Sequence, residues 1–353
     1  MPFIRRAIGS TIDVAPWPDS MIPKHALAPQ PRTMAQTEAQ HHQRRQQRMK
    51  QQQACIFGGT GFVGRHLVRR LGDAGYHCVL PTRRAQRHRD LQLYPGVELR
   101  AIEDLSSETM ADCLRGSDLA VNLIGILNED GNSSFQRVHV ELVQRIVTAA
   151  TRAGVSRLLH MSALNADATR GSSAYLCSKG EGEEIALAAS DRDATLTVTS
   201  FRPSVIFGRG DSFFNRFARL LELTPGVLPL ACPDARFAPV WVGDVTEAML
   251  RSITDERAYS RRYDLCGPRI FTLAELVEYT AQQIGKRLLL AQLNDKASRL
   301  QAKLFGLLPG KPFTLDNYQS MQTPSICGEH NGLLELGIHP TDIEAVVPMY
   351  LGK

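Results

Sequence analysis

No run of about 18 apolar residues occurs in the sequence, so no segment reads as a bilayer span. The seven cysteines, at 55, 78, 113, 177, 232, 266 and 327, form no C-x-x-C pair. That removes the usual zinc and dithiol motifs, and no metal site is expected. Their odd number and scatter suit a reducing compartment in which all seven stay thiols, and a cytoplasmic location is expected on that ground. No fixed-period repeat appears, which excludes solenoids and propellers. Surplus charge is missing as well once the first 53 residues are set aside. They supply the whole formal charge of +5, with eight Lys/Arg against Asp13, Asp19 and Glu38, and the other 300 residues balance at 33 basic and 33 acidic. A body so balanced argues against broad nucleic-acid binding, which depends on many cations neutralising phosphates.

Residues 1–53 also lack apolar periodicity, carry nine Gln and six Pro, and end in the polar run His41 to Gln53. They read as a disordered tail or a non-native extension. A targeting segment is the other reading, since the stretch is basic and poor in acids, but its proline spacing and Gln cluster spoil an amphipathic helix.

What is present begins at Ala54. Short β-rich apolar runs alternate with amphipathic helical stretches, the pattern of a parallel sheet covered by helices on both faces. Strands are expected over Ala54 to Phe57, His77 to Leu80, Val97 to Ala101, Leu119 to Ile124, Arg157 to Met161 and Thr195 to Phe201. Helices are expected over Phe62 to Ala74, Ser107 to Leu114, Phe135 to Ala153 and Ala174 to Ala189. Gly72, Gly75 and Gly154 fall where helices stop. The expectation is an α/β fold: a Rossmann-type doubly wound parallel sheet over 54–203, followed by a smaller mixed α/β carboxy-terminal region over 204–353, where prolines multiply.

The first strand runs directly into Gly58-Gly59-Thr60-Gly61-Phe62-Val63-Gly64, and a helix opens at once. A tight glycine turn at that place aims backbone N–H groups and the positive end of a helix dipole at a pyrophosphate. Gly58, Thr60, Gly61, Phe62, Val63 and Gly64 are therefore expected to hold a nicotinamide dinucleotide. An NAD-selective site places an acid at the end of the second strand, to accept from the ribose hydroxyl. Here that place reads Leu80-Pro81-Thr82-Arg83-Arg84. Two guanidiniums can pair with a 2′-phosphate, so NADP(H) is favoured over NAD(H).

Together with Asp104-Leu105 and Tyr175-Leu176-Cys177-Ser178-Lys179, the glycine loop resembles the extended and atypical short-chain dehydrogenases/reductases, the epimerase/dehydratase-like group. More narrowly, Val121-Asn122-Leu123-Ile124-Gly125, Val138-His139-Val140, Ser162-Ala163-Leu164-Asn165-Ala166 and Ile206-Phe207-Gly208-Arg209 are similar to the NAD(P)H-binding accessory subunit of respiratory complex I and its bacterial relatives. The resemblance implies Asp104, Leu105 and Lys179 as further cofactor ligands. It also implies Ser162, Tyr175 and Lys179 as the catalytic set. One helical turn puts Lys179 beside Tyr175, where its charge would favour the phenolate as general acid/base, while Ser162 would donate to a substrate oxygen.

His139 stands where many of these enzymes have an Asn, and two readings stay open, a proton relay or a packed, hydrogen-bonded imidazole. Arg202 is either a pocket residue or a core ion pair, and Asp244 reads as the N-cap of a helix from Val245 to Ile253. The stretch Leu300, Leu304, Phe305, Leu307 and Leu308 reads as core, with contact to a partner or membrane surface as the alternative that the resemblance suggests.

Three functions remain. One is an NADP(H)-dependent oxidoreductase acting on a carbonyl or alcohol. Another is a nucleotide-binding accessory or assembly protein of respiratory or quinone metabolism, peripheral to the inner membrane. The third is a sugar-nucleotide epimerase or dehydratase, which the arginines after the second strand fit poorly.

Overall fold

The structure, a computed structural model, describes residues 52–131, 133–192 and 195–352. The tail reading therefore lies outside the described residues, apart from Gln52 and Gln53, the latter already in the first strand.

Seven parallel strands form one sheet: β1 (Gln53–Phe57), β2 (His77–Thr82), β3 (Val97–Ala101), β4 (Leu119–Asn122), β5 (Arg157–Met161), β6 (Thr197–Pro203) and β7 (Arg261–Leu265). Their order is β7-β6-β5-β4-β1-β2-β3. The chain winds outward from β1 in one direction and then from β4 in the other, so a crevice opens at the carboxyl ends of β1 and β4. The seventh strand comes from residues that the sequence assigns to the smaller region. It pairs with β6 from Arg261↔Thr199 to Leu265↔Pro203.

Each central strand is buried on both faces. In β1, Ala54 and Ile56 face one core with Leu67, Val68 and Leu71 of α1 (Phe62–Asp73), while Cys55 and Phe57 face the other with Met110 and Leu114 of α2 (Ser107–Leu114) and Ile146 of α3 (Leu142–Ala153). The period-two alternation is hidden in the sequence because both sides are apolar. α3 ends at Gly154, whose φ of 70° takes the left-handed cap that a side chain resists. Gly72, expected at a helix end, lies inside the last turn of α1. The expected helix from Phe135 opens instead as a π-turn, Gln136–Glu141, before α3.

α4 (Ala174–Arg192) follows β5 and packs very closely on that π-turn. A Cβ on Gly182 would lie 1.9 Å from the His139 carbonyl oxygen, and one on Gly180 would lie 2.3 Å from the Ala168 nitrogen.

Residues 206–292 hold three two-stranded pairings and a further core cluster, in which Leu221 of α5 (Phe214–Leu223) meets Leu228, Leu273 and Val277. α6 (Val242–Ser252) packs back against α1 through Val245 and Met249. Beyond α7 (Leu273–Gln283), α8 (Asp295–Phe305) buries only Ser298 and Ala302. Leu300 and Leu304 are each 57% exposed and Leu307 is 85% exposed, which corrects the core reading of this stretch. Among the described residues no helix is long and apolar enough to cross a membrane.

The all-thiol expectation is corrected too. Cys266, just past β7, is disulfide-bonded to Cys327, while the other five cysteines are free.

Candidate functional site

The glycine turn closes on itself at the crevice. Gly61 N–H donates to Gly58 O at 3.0 Å, and Gly61 O accepts from Arg65 N–H at 3.0 Å. Gly58 has φ +82°, and a Cβ there would lie 3.1 Å from the Leu123 carbonyl carbon on the neighbouring β4 connection. Gly64 is tighter still, its absent Cβ lying 2.4 Å from Gly58 O. Thr60, Phe62 and Val63 complete the same turn. Gly61 caps α1 with no side-chain hydrogen bond, and the first turn of the helix holds no acid. Its orphan N–H groups are thus open to an anion, and the cradle fits a dinucleotide pyrophosphate.

Arg83 and Arg84 lie exposed directly after β2, beside that turn. Neither guanidinium has a hydrogen-bond or ion-pair partner among the described residues. Arg65 differs, being held by Asp90, by His88 at 3.1 Å and by the Thr60 carbonyl at 3.2 Å. Beyond β3, the Asp104 carboxylate accepts from Ser106 N–H at 3.0 Å and Thr109 Oγ1–H at 3.1 Å. These bonds hold its pKa below the usual carboxylate range and turn it toward the start of α2. Leu105 is half-buried against the core, and its carbonyl accepts from Arg145 at 2.9 Å.

At the carboxyl end of β5, Ser162 is buried and its Oγ has no protein partner. Lys179 Nζ donates to Met161 O at 2.5 Å, which ties α4 to the residue before Ser162. Ser162, Tyr175 and Lys179 are thereby gathered at one strand end. Their electrostatics depart from expectation. Burial pushes the Tyr175 phenol up to about 12, with Asp316 adding to the rise, and burial pushes Lys179 down to about 8. A lysine turned to a carbonyl does not offset the desolvation of the phenolate, so the phenol is not acidified as the Tyr-x-x-x-Lys spacing suggested.

His139 is the packed imidazole. Its Nε2 accepts from Ile126 N–H at 3.1 Å, so the proton sits on Nδ1 and is donated to Ser178 Oγ at 2.9 Å. Ser178 in turn donates to Tyr175 O at 2.9 Å. Both nitrogens are occupied, and the ring stacks on Phe135 and meets Tyr175 edge-on. Burial, with Lys179 nearby, pushes its pKa down to about 3, so it stays neutral in this packed site. A second histidine that sequence reasoning missed, His160 on β5, accepts at Nδ1 from Asn122 Nδ2 at 3.2 Å and leaves a buried Nε2–H without a protein partner.

Arg202 proves to be a core ion pair. Glu183, fully buried one turn beyond Lys179, accepts from Arg202, from Arg262 at 3.1 Å and from Ser200 Oγ at 2.5 Å. Asp244 is not a cap: α6 begins at Val242, and Asp244 accepts from Thr341 N–H at 2.7 Å and Thr341 Oγ1–H at 3.1 Å.

The N-terminus of α4 is completed from two places. Ser173 Oγ accepts from Leu176 N–H at 3.1 Å, and Asp316 accepts from Ala174 N–H at 2.7 Å and Tyr175 N–H at 3.3 Å. Asp316 lies more than a hundred residues away in sequence, and no local signal announces it.

Comparison with known proteins bears on the family and the fold. Residues 54–266 match the model of the NAD dependent epimerase/dehydratase family. The mitochondrial NADH dehydrogenase (ubiquinone) 1 alpha subcomplex subunit 9 of Mus musculus is 30% identical over 306 residues, 82% of this chain and 77% of that protein. The ceramide reductase of Caulobacter vibrioides is 32% identical over 56% of this chain and 59% of its own length. Among solved structures, an NADPH-dependent quinone oxidoreductase of Escherichia coli complexed with NADPH aligns with a TM-score of 0.66 at 19% identity, over 84% of this chain and 99% of that one. MoeE5 in complex with UDP-glucose and NAD aligns at 0.66 and 21%, over 85% and 97%, and at such identities these likenesses concern the fold. With a nicotinamide-dinucleotide cradle at the switch point of a seven-stranded Rossmann-like sheet, the chain belongs to the NAD dependent epimerase/dehydratase family and is a relative of the complex I subunit 9 proteins.

Proposed function

We propose that the chain is an NADP(H)-binding protein of the short-chain dehydrogenase/reductase kind, serving respiratory or quinone metabolism in an accessory role, with slow carbonyl or alcohol oxidoreduction as the chemistry its site can carry. The observation that carries the cofactor choice is the pair of exposed, unpartnered guanidiniums Arg83 and Arg84 beside the glycine turn, with no acid between them and β2. A 2′-phosphate gives them the anion they lack.

Residues 54–203 would hold the dinucleotide through Gly58, Thr60, Gly61, Phe62, Val63 and Gly64, with Lys179 toward the ribose. Asp104 and Leu105 would contribute only from the rim. Bound nicotinamide supplies or takes up a hydride. Ser162 Oγ would donate to the substrate oxygen, which its buried, unpartnered state favours, and Tyr175 would deliver the proton. A phenol at about 12 is a weak proton donor near neutrality, which supports low turnover. Residues 204–353 would supply the substrate or partner side. The leucines of α8 and the turn after it, flanked by Lys296, Arg299 and Lys303, suit a partner of the respiratory machinery or peripheral contact with the inner membrane.

Two experiments test the reading. Arg83→Ala/Arg84→Ala is expected to weaken NADPH at least about tenfold while leaving NADH within about twofold; parallel losses of both would reject the 2′-phosphate role. In cells, an accessory role predicts that Gly61→Asp abolishes respiratory or quinone function and Tyr175→Phe retains it. Equal loss in the two variants would make turnover the function.

A further inference from the structure

Residues 311–327 run across the carboxyl ends of the strands on the substrate side of the crevice. At one end Lys311 O accepts from Asn128 Nδ2 at 3.2 Å, and Lys311 Nζ donates to the Glu129 carbonyl at 2.6 Å, both in the loop after β4. In the middle, α9 (Leu315–Ser320) sits over the start of α4, where Asp316 binds the Ala174 and Tyr175 amides and Ser320 Oγ lies 2.8 Å from Ser173 Oγ. Farther on, Asn165 Nδ2 donates to Pro324 O at 2.9 Å and Ser204 Oγ donates to Ser325 O at 2.7 Å, after β5 and β6. The Cys266–Cys327 disulfide, after β7, fastens the far end. The segment is a strap over four strand ends, and its contacts reach neither the glycine turn nor Arg83 and Arg84.

We propose that Asp316 is a positioning residue for Tyr175, supplied by this strap: its carboxylate both fixes the first turn of α4 and holds the phenol in its protonated form. The inference rests on Tyr175 being the acid/base group of the proposed site. Geometry supports the first half. The N–H groups at the start of a helix lack intrahelical partners, and the first such bond here is Cys177 N–H to Ser173 O; of the open groups before it, Leu176 N–H is satisfied by Ser173 Oγ, while those of Ala174 and Tyr175 have only Asp316. Electrostatics support the second. A helix N-terminus carries about half a positive charge that would favour a phenolate one residue inside it, and a carboxylate seated on that terminus cancels it. The other titratable groups around Tyr175 do not replace the lost field. His139, with ring centroids 5.5 Å apart, is neutral, and Lys179 on the same helix is turned to Met161 O. Glu129, at the strap's other end, adds negative charge near Asp316. With the strap seated, the tyrosine is ordered but not acidic; with it lifted, the dipole acts unopposed.

Full-length protein labelled with 13Cζ-tyrosine tests this without any dinucleotide, so the result is independent of whether NADP(H) binds. Tyr175→Phe assigns the signal, and its ionised fraction is followed up to about pH 10.5. Asp316→Asn keeps an oxygen that accepts the two amides but removes the charge. It is expected to raise the Tyr175 phenolate fraction at least about threefold, with amide exchange over 174–177 within about twofold of wild type. Asp316→Ala is expected to raise both the phenolate fraction and that exchange, the latter at least about tenfold. An unchanged phenolate fraction in Asp316→Asn would overturn the electrostatic half, and unchanged exchange in Asp316→Ala would overturn the positioning half.

Discussion

His139 is held neutral with both ring nitrogens engaged, since its Nε2 accepts from Ile126 and its Nδ1–H donates to Ser178. That has a consequence for acid stability. The folded pKa of about 3 lies below the ordinary value of 6.5, so between the two the unfolded chain binds the extra proton. The contribution of a neutral His139 is therefore fully present above about pH 6.5 and lost as pH falls toward 3. At about 1.4 kcal/mol per unit it is on the order of 5 kcal/mol. Urea midpoints of wild type and His139→Asn across that window should converge as pH falls; parallel curves would mean that the imidazole already titrates normally in the fold. Glu183 is the other decisive residue. Substituting Gln strands Arg202 and Arg262 around a neutral side chain, for an expected loss of about 3 kcal/mol in chemical denaturation. The packed imidazole and an ion pair at Arg202 were among the readings open in the sequence, but the tautomer and Glu183 as the partner were not legible, since they depend on residues 13 to 79 positions away. The glycine turn after the first strand and the placing of Tyr175 and Lys179 on one helical turn were legible, because the members of each motif stand within a few positions of one another.

At the scale of elements, strands β1 to β6 and their helices follow the apolar rhythm closely, and the departures have local causes. The π-turn Gln136–Glu141 replaces the first turn of an expected helix where α4 presses on it at Gly182. With a Cβ only 1.9 Å from the His139 carbonyl, Gly182→Ala must push α4 away from the π-turn. We expect a destabilisation of about 2 to 3 kcal/mol, together with disturbance of the Tyr175 and His139 ring contacts visible by NMR. A thermally neutral Gly182→Ala would show that the approach is not tight. α8 departs for a different reason. Its leucines satisfy the helical period of a core face, yet periodicity records only that one face is apolar and not what covers it.

Across the whole molecule, the parts that local patterning could not join are joined by long-range contacts. β7 completes the sheet from beyond the residues the sequence pattern assigned to it, and the disulfide links Cys266 to Cys327 across 61 residues. Closing a loop of that length restricts the unfolded chain by about 4 kcal/mol in the loop-entropy account. Cys327→Ser should therefore lower the unfolding free energy by up to about that amount. The same variant in reducing buffer should show no further loss; a loss there would place the effect elsewhere than in the cross-link. The glycine turn and the two arginines beside it stand apart from the strap and lie at the crevice where the winding reverses, and the central claim rests on them. It is tested most directly by calorimetric titration of the full-length protein with NADPH and NADH under identical conditions. Saturable binding at one site, with NADPH at least about tenfold tighter than NADH, is the expected result. Equal affinity for the two dinucleotides, or binding that survives Gly61→Asp, would contradict it.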